Sequence, residues 1–480
     1  MTESVVSLFE QLVDAAPPGD VPVLFDTACV LGGSVAGLLA ARVLSDRAHR
    51  VVVIEPDDIS ARHAPRPGVP QDQHLHVLLP AGHAWAERWF PGITAEARNH
   101  GATLPSAEGF AYLNGAPQAL DGSGRHMLSI GRPLLESLLR ERVTSLPNVT
   151  VLRGRATGLR YHDDAVSAVR YLGGDEGDGD TETLDADFVV DAMGRSSRLS
   201  AWLEESGYDR PGLERLRAPL NYATALFERP EDAADLEKTL GQALFTPQYP
   251  SDGVSVAAAQ AIEGMRWIVT LIGYDDNRPG RTVAEFRAAC DKLPPVFAKA
   301  TAGAVVGDVV TYHQAESRRR HFAEVSRFPA RLVAVGDAVA SFNPVYGQGM
   351  TSAVLHASCL ASYLGSGPDL GTAAREFFRL QQTVVDAAWA VSAGGDSARL
   401  DAQNGTEVPE DLRRQRWAME QITLAALHDG DVALAFNEVA RMLRHPERLA
   451  DPDLVARAVA VNERAAMAAG QGQTGTPATA

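Results

Sequence analysis

The stretch FDTACVLGGSVAGLLAARVLSDRAHRVVVIEPDD, residues 25–58, decides the fold class. An apolar run ends in a Gly-Gly-Ser turn at 32–34, an alanine- and leucine-rich run follows at helical spacing, and a second apolar run closes on Glu55. Strand, glycine turn, helix and strand within about thirty residues make a βαβ unit, the building block of parallel sheets. A doubly wound α/β domain is therefore expected to start near Asp26. Within the turn, Gly32-Gly33-Ser34-Val35-Ala36-Gly37 keeps G-x-G-x-x-G spacing with Ser34 at the second glycine. Small residues there let amides at a helix N-terminus approach a pyrophosphate, and Glu55 stands where an acidic side chain accepts ribose hydroxyls of an adenine dinucleotide. A purely structural βα turn remains the alternative.

Two later stretches repeat the pattern of an apolar strand opening into a small-residue turn. DFVVDAMGRSSR, residues 187–198, is the first, and GDAVASFNPVYGQGM, residues 336–350, is the second. A carboxylate such as Asp337 at a strand's end can bond a polyol hydroxyl, and amides of Gly347, Gln348, Gly349 and Met350 at a helix start can stabilise negative charge on a ring system. An Asp in that position can also be no more than a helix cap.

Composition sets the bounds. With 480 residues, 45% hydrophobic and 22% charged, the chain is long enough for a large core or two domains. A formal net charge of -17 argues against non-specific binding to nucleic acid or anionic membranes and favours a small-molecule partner. Cys29, Cys290 and Cys359 lie far apart, so neither a disulfide framework nor a metal site is expected, only buried thiols. The first residues carry no basic n-region and no long apolar core, and no segment has 18 uninterrupted apolar residues, so membrane insertion is not expected and a cytoplasmic location is. SVVSLFEQLVDAA has helical periodicity, as an amphipathic helix docked on the body or on a partner. GGDEGDGDTE reads as a solvated hairpin tip, and Arg318-Arg319-Arg320-His321 as a solvated basic turn or an anion site.

Taken together, Gly32–Gly37 with Glu55, then Met193-Gly194, then Gly336-Asp337 with Pro344, Gly347 and Gly349 resemble the FAD-dependent single-component aromatic hydroxylases and related monooxygenases of the para-hydroxybenzoate hydroxylase fold. RPGVPQDQHLHVLL (66–79), SIGRPLLESLLRERV (129–143), YATALF (222–227) and VGDAVASFNPVYGQGMTSA (335–353) are similar to the bacterial polyketide-tailoring branch that includes polyether epoxidases. The resemblance implies a Rossmann-like FAD-binding domain (26–210 and 331–365) interleaved with a β-sheet-rich substrate region (211–330). The resemblance covers roughly Asp26 to Ala460; before it, periodicity gives an N-terminal helix extension (1–25), and the sequence pattern gives a largely helical C-terminal region (366–480) with a disordered tail. The resemblance places Glu55 on the adenosine ribose, and Gly32, Ser34 and Gly37 on the pyrophosphate. Arg132 would reach the pyrophosphate or ribityl region and Asp337 the ribityl chain, with Pro344, Gly347, Gln348, Gly349 and Met350 along the isoalloxazine edge. Arg66, Gln71, His74 and His76 would line the flavin face and assist proton delivery; the alternative is that the two histidines, at i and i+2 on one face of a strand, are structural. Tyr222, Thr224, Phe342 and Asn343 are the substrate-pocket candidates, and no metal site is expected.

The implied activity is epoxidation or hydroxylation of an alkene- or polyketide-type substrate with O2, the flavin carrying the hard chemistry. No paired carboxylates or Ser-His-Asp set is apparent, which suits an epoxidase better than a phenol hydroxylase that needs a base. Met193 stands where the hydroxylases carry an aspartate, so the reductant is either NAD(P)H used directly or a separate flavin reductase. An FAD-retaining enzyme for redox-neutral cyclisation is the rival reading. Halogenase (WxWxIP) and disulfide-reductase (CxxC) signatures are absent.

Overall fold

The computed structural model describes residues 4–473 apart from 20, 60–65, 106–110, 114, 175–180, 231–241 and 247–253. In chain order the strands are β1 (Phe25–Leu31), β2 (Ala48–Glu55), β3 (Ala111–Leu113), β4 (Ala116–Pro117), β5 (Val149–His162), β6 (Ala165–Gly173), β7 (Thr181–Asp185) and β8 (Phe188–Asp191). They continue with β9 (Gly212–Glu228), β10 (Gln242–Thr246), β11 (Val256–Ile262), β12 (Arg266–Tyr274), β13 (Val305–His321), β14 (Leu332–Ala334) and β15 (Ala340–Ser341).

The first sheet has the order β14-β8-β1-β2-β5-β6-β7, parallel from β14 to β5 and antiparallel beyond. Its central strands read as continuous apolar runs because they are covered on both faces: Val30, Leu31, Val51, Val52 and Val53 have no exposure. The helices Val35–Ser45 and Arg132–Thr144 pack on this sheet, and the helix Gln348–Gly365 packs on the first of them.

The second sheet is the reason the chain makes a site. Its order is β15-β13-β9-β12-β11-β10-β3-β4, antiparallel except where β10 meets β3. It draws most strands from 212–321 but takes β3 and β4 from the 26–210 stretch and β15 from just after Asp337. The two sheets are therefore stitched together at the turn that follows β14. The helices Val283–Cys290 and Pro295–Ala300 cover it through Phe286, Phe297 and Val296, which pack with Phe227, Trp267 and Val269.

The helix Val5–Asp14 is capped by Ser4 and buries Leu8, Phe9, Leu12 and Val13 against the helices Gln348–Gly365 and Arg375–Asn404. Leu12 O accepts bonds from Trp85 Nε1 at 3.0 Å and Ser358 Oγ at 2.9 Å, so this helix belongs to the body of its own chain. After it, the helices Glu410–Ala425, Gly430–Ala440 and Pro452–Gln473 form a small core of their own around Ile422, Val432 and Ala458.

Several expectations need correction. Arg318–Arg320 are not a turn: they lie in β13, where Arg319 pairs with Glu214 at 2.7 Å and Asp386 at 2.6 Å and covers the Trp389 ring. Residues 66–79 form turns and extended chain rather than a strand, so His74 and His76 do not share a strand face. The last helix continues to Gln473, into the stretch read as a disordered tail from 470; 474–480 lie outside the described residues. The acidic tip 175–180 also lies outside them, although β6 and β7 on either side do pair as a hairpin. All three cysteines are buried. No helix among the described residues is long and apolar enough to cross a membrane, and no group of three or more His, Cys, Asp or Glu among them is placed to hold a metal ion.

Candidate active site

A single cavity of about 3080 Å³ runs between the two sheets and under the C-terminal helices. Ligand pockets are commonly about 300–1,000 Å³, so this space has room for two molecules side by side.

At one end, three turn-to-helix junctions open on it: Ser34 into Val35–Ser45, Gly131 into Arg132–Thr144, and Gly347 into Gln348–Gly365. None of the three junction residues caps its helix with a side chain. First-turn amides are thus left for an anion, with the positive ends of the helix dipoles behind them. The first junction is tight because it is built from glycine. Gly32 has φ 106°, and a Cβ on Gly37 would stand 1.8 Å from Gly32 O. Gly37 accordingly does not line the cavity; it lets the helix close on the strand. At the third junction Gly347 adopts φ 67°, while Gly349 faces open space where a Cβ would project.

Charged groups are drawn around the first two junctions. Glu55 Oε2 accepts the Gly33 N–H at 2.6 Å and Oε1 the Asp57 N–H at 2.9 Å, which fixes the carboxylate at the end of β2. Arg66 pairs with Glu55 and with Glu136. Burial opposes the Arg66 charge, but Glu136, Glu55 and Asp57 more than offset it and its proton is held more tightly than usual. Glu136 also accepts from Ser34 Oγ at 3.0 Å and pairs with Arg132 and Arg140. The sequence offered no sign that Glu136 meets Arg66, since either Glu in LLESLLRERV reads as helix surface; Glu136 is 4% exposed.

Asp337 lies in the single turn Gly336–Ala338 after β14. Burial raises its carboxyl, against the pull of Arg132, Arg195 and Arg318. The turn is held by His356, another residue the sequence did not flag: its Nδ1 accepts the Gly336 N–H at 2.9 Å. Burial drives the His356 pKa down to about 3, so the ring is neutral and its Nε2–H is directed to Ser352 Oγ. In the middle turn, Asp191 folds back to accept the Met193 N–H at 3.0 Å and the Ser197 hydroxyl at 2.5 Å, and burial pushes it up to about 6. That turn lines the cavity with Ala192, Met193, Gly194, Arg195 and Ser196, and with no carboxylate.

The other end of the cavity is walled by the second sheet and the helix Arg375–Asn404. Tyr222, Tyr274, Tyr312, Phe342 and Trp389 line it, with His74 and His76 from the 66–79 segment and Gln71 beside them. Thr224 stands behind His74: its hydroxyl lies 2.7 Å from His74 Nδ1 and 2.7 Å from Thr270 Oγ1. This leaves His74 Nε2 and the Tyr222 hydroxyl buried with no hydrogen-bond partner. Burial lowers the His74 pKa to about 4 and holds His76 well below the usual histidine range, so both rings are neutral at pH 7. Asn343 is likewise a layer behind the wall, wholly buried, its amide donating to both carboxylate oxygens of Asp396 at 2.9 and 3.0 Å. Gln348 is buried at the start of its helix with Oε1 unpaired.

An extended space with three helix starts at one end and an aromatic chamber at the other is the layout of a nucleotide-cofactor site with an adjoining substrate chamber. Residues 26–377 match the family described as FAD binding domain, and the chain belongs to that family. It is 35% identical to Protein Rv3254 of Mycobacterium tuberculosis over 393 residues, 77% of this chain and 80% of that one. It is 25% identical to a kynurenine 3-monooxygenase of Salinispora tropica over 362 residues, 72% and 74% of the two chains. Among solved structures, p-nitrophenol 4-monooxygenase of Pseudomonas putida superposes with a TM-score of 0.58 at 19% identity, covering 90% of this chain and 98% of that one. FAD is the cofactor. The residues present fit it: uncapped helix starts stand ready for the diphosphate, and at Gly349 open space is kept where any other side chain would intrude.

Proposed function

We propose that the chain epoxidises or hydroxylates an alkene- or polyketide-type small molecule of secondary metabolism, in a soluble cytoplasmic setting. The observation that carries this reading is the one continuous cavity, bounded by the glycine junctions at one end and by Tyr222, Phe342 and Tyr274 at the other. Bound and reduced, FAD would supply the electrons that activate O2, and O2 the oxygen atom to be transferred. The protein's part is to bind, orient and keep water out. In this reading Glu55 accepts the adenosine ribose hydroxyls, Gly32 and Ser34 with the amides behind them hold the diphosphate, and Gly37 lets that helix approach. Arg132 neutralises charge, with Arg66 and Glu136 fixing its surroundings. Asp337 takes the ribityl hydroxyls, and the Gly347–Met350 amides, following Pro344, meet the electron-rich edge of the ring. Gln71, His74 and His76 form the wall facing the ring, with His74 neutral and supported by Thr224. Residues 26–210 and 331–365 then serve the cofactor and 211–330 the substrate.

The second reading is an FAD-retaining enzyme that catalyses a redox-neutral cyclisation. It is favoured by Met193, which lines the cavity where the resembling hydroxylases place an aspartate linked to the nicotinamide donor. An anaerobic visible spectrum with and without NADPH tests the proposal. Bleaching of the flavin bands supports a self-sufficient oxygenase. Persistent bands that bleach on adding a flavin reductase with NADH support a two-component oxygenase. Product formed with the flavin oxidised throughout supports cyclisation, and absence of any flavin after FAD is supplied overturns both readings.

A further inference from the structure

One charged side chain on the cavity wall has no part in holding a dinucleotide. Asp396 is 1% exposed and lies on the helix Arg375–Asn404, behind a pair of glycines in mid-helix, Gly394-Gly395. Glycine inside a helix costs about 1 kcal/mol relative to alanine, and here both positions have a spatial reason. A Cβ on Gly395 would stand 2.1 Å from the Tyr346 hydroxyl, and Gly394 faces open space. The helix is thinned where it meets the Pro344–Tyr346 turn, and Asp396 is carried to that meeting point.

The groups around Asp396 suit proton exchange. Asn343 Nδ2 donates to both of its oxygens, and the Tyr274 hydroxyl approaches Oδ1 at 3.5 Å. A carboxylate has about four acceptor positions, so these bonds hold it in place and leave lone pairs over. Burial raises its proton affinity, and Asp275 adds to this; Asn343, Arg399 and Tyr274 oppose it, and the balance stands at about 6. Tyr222 and Tyr346 complete the titratable surroundings, and the Asp396 charge helps keep both phenols protonated. Arg399 follows about one helical turn later, also on the cavity, stacked 4.1 Å over the Tyr274 ring and paired with Asp275. Its Nε and Nη2 have no hydrogen-bond partner, nor has the buried Tyr222 hydroxyl. Orphaned buried donors of this kind ask for an acceptor that the protein itself does not provide.

We propose that Asp396 is the acid–base residue of the substrate site, acting on a substrate that presents an ionisable hydroxyl, a phenol or an enol, between Asp396 and the Arg399–Tyr222 donors. This rests on the oxygenase reading above. The Asp396 carboxylate takes the hydroxyl proton and becomes the neutral acid. The O–H bonding pair stays on the substrate oxygen, faces Arg399 and raises electron density at the carbon to be oxygenated. The proton returns from Asp396 to that oxygen once the product is formed. An acceptor poised near the working pH is suited to both directions.

The test uses FAD-loaded wild type, Asp396→Asn and Asp396→Ala, with 4-nitrophenol as the probe because its colour reports its ionisation. The asparagine variant keeps the volume and one of the two bonds from Asn343 while removing proton exchange. Just above pH 6, where free 4-nitrophenol is largely neutral, the wild-type complex is expected to show the phenolate band with no proton released to the buffer, because Asp396 keeps it; in Asp396→Asn and Asp396→Ala any phenolate formed beside Arg399 must release one proton per probe bound. Arg399→Gln should bind the probe without ionising it. Release of a full proton by the wild type, or no saturable binding to the wild type, overturns the proposal. Flavin content and photoreduction are read in the same samples. Loss of flavin from the wild type would defeat the oxygenase reading, whereas a normal flavin with no probe ionisation defeats Asp396 alone.

Discussion

The substitution Gly37→Ala adds one methyl group at the point where the helix Val35–Ser45 closes on β1. Its Cβ would lie 1.8 Å from Gly32 O and 2.9 Å from Gly32 C. Non-bonded carbon–oxygen contacts sit near 3.3–3.6 Å, so the helix start must back away by about 1.6 Å. Amides that would have met the diphosphate near 2.9 Å then stand beyond 4 Å, outside bonding range by roughly 1 Å. Two lost bonds to a charged group amount to about 3–6 kcal/mol, roughly 10²–10⁴ in the dissociation constant. Overpacking adds about 1–3 kcal/mol of destabilisation to the folded chain. Titrating apoprotein with FAD, followed by flavin fluorescence, measures the first quantity, and thermal unfolding of the apoprotein measures the second. A folded Gly37→Ala protein that binds FAD within about tenfold of wild type would refute the argument that this contact sets the cofactor's seat.

Gly349→Ala is the counterpart. With open space at its Cβ position and ordinary helical geometry, it should leave the apoprotein's melting temperature unchanged or raised. FAD binding should nevertheless weaken, which the same titration reads; unaltered affinity would remove the ring from this junction. Asp337→Ala should yield folded protein with little bound FAD, checked by absorbance of the purified protein. Asp191 has a folded-state pKa of about 6, above the ordinary 3.8, so its contribution is fully present below the unfolded value and is lost as pH rises through about 6. The difference corresponds to roughly 3 kcal/mol. Wild type should therefore lose more stability than Asp191→Asn in denaturant melts compared at pH 4.5 and 7.5, and equal losses would show that the charge is compensated. Phe9→Ala, 1% exposed against His445, should cost about 3–5 kcal/mol in the same melts with the flavin spectrum unchanged.

The parts of the site that follow directly from the sequence are those whose chemistry is local. A glycine turn, the helix it starts and the strand that ends on Glu55 are consecutive, so spacing alone leads to the diphosphate and ribose-side roles proposed for them. The same holds for Gly336-Asp337 and for Gly347–Met350 at the start of a long apolar helix. Continuous apolar runs announce a parallel sheet because strands covered on both faces have no polar side to show. The helix Val5–Asp14 was legible as amphipathic, but which surface it covers was not, since the pattern describes one partner of a contact.

What the tertiary structure decided is every role that depends on meeting a distant residue. Glu136 stands one helical turn from Arg132 and from Arg140 on its own helix, and becomes a hub when the 66–79 segment brings Arg66 to it. His356 shows its purpose through an amide twenty positions away that the fold brings back to it. Arg318–Arg320 look like a solvated cluster until β13 lays Arg319 beside Glu214 and Asp386 and turns Arg320 to the Ala338 carbonyl. Asp396 lies 53 residues from Asn343 and 122 from Tyr274, and nothing in SAGGDSARL distinguishes it from a helix-surface aspartate except the two glycines before it. The physical reason is common to all four. Burial and electrostatic pairing belong to the environment a residue is folded into, and a linear pattern encodes that environment only where its members are neighbours along the chain.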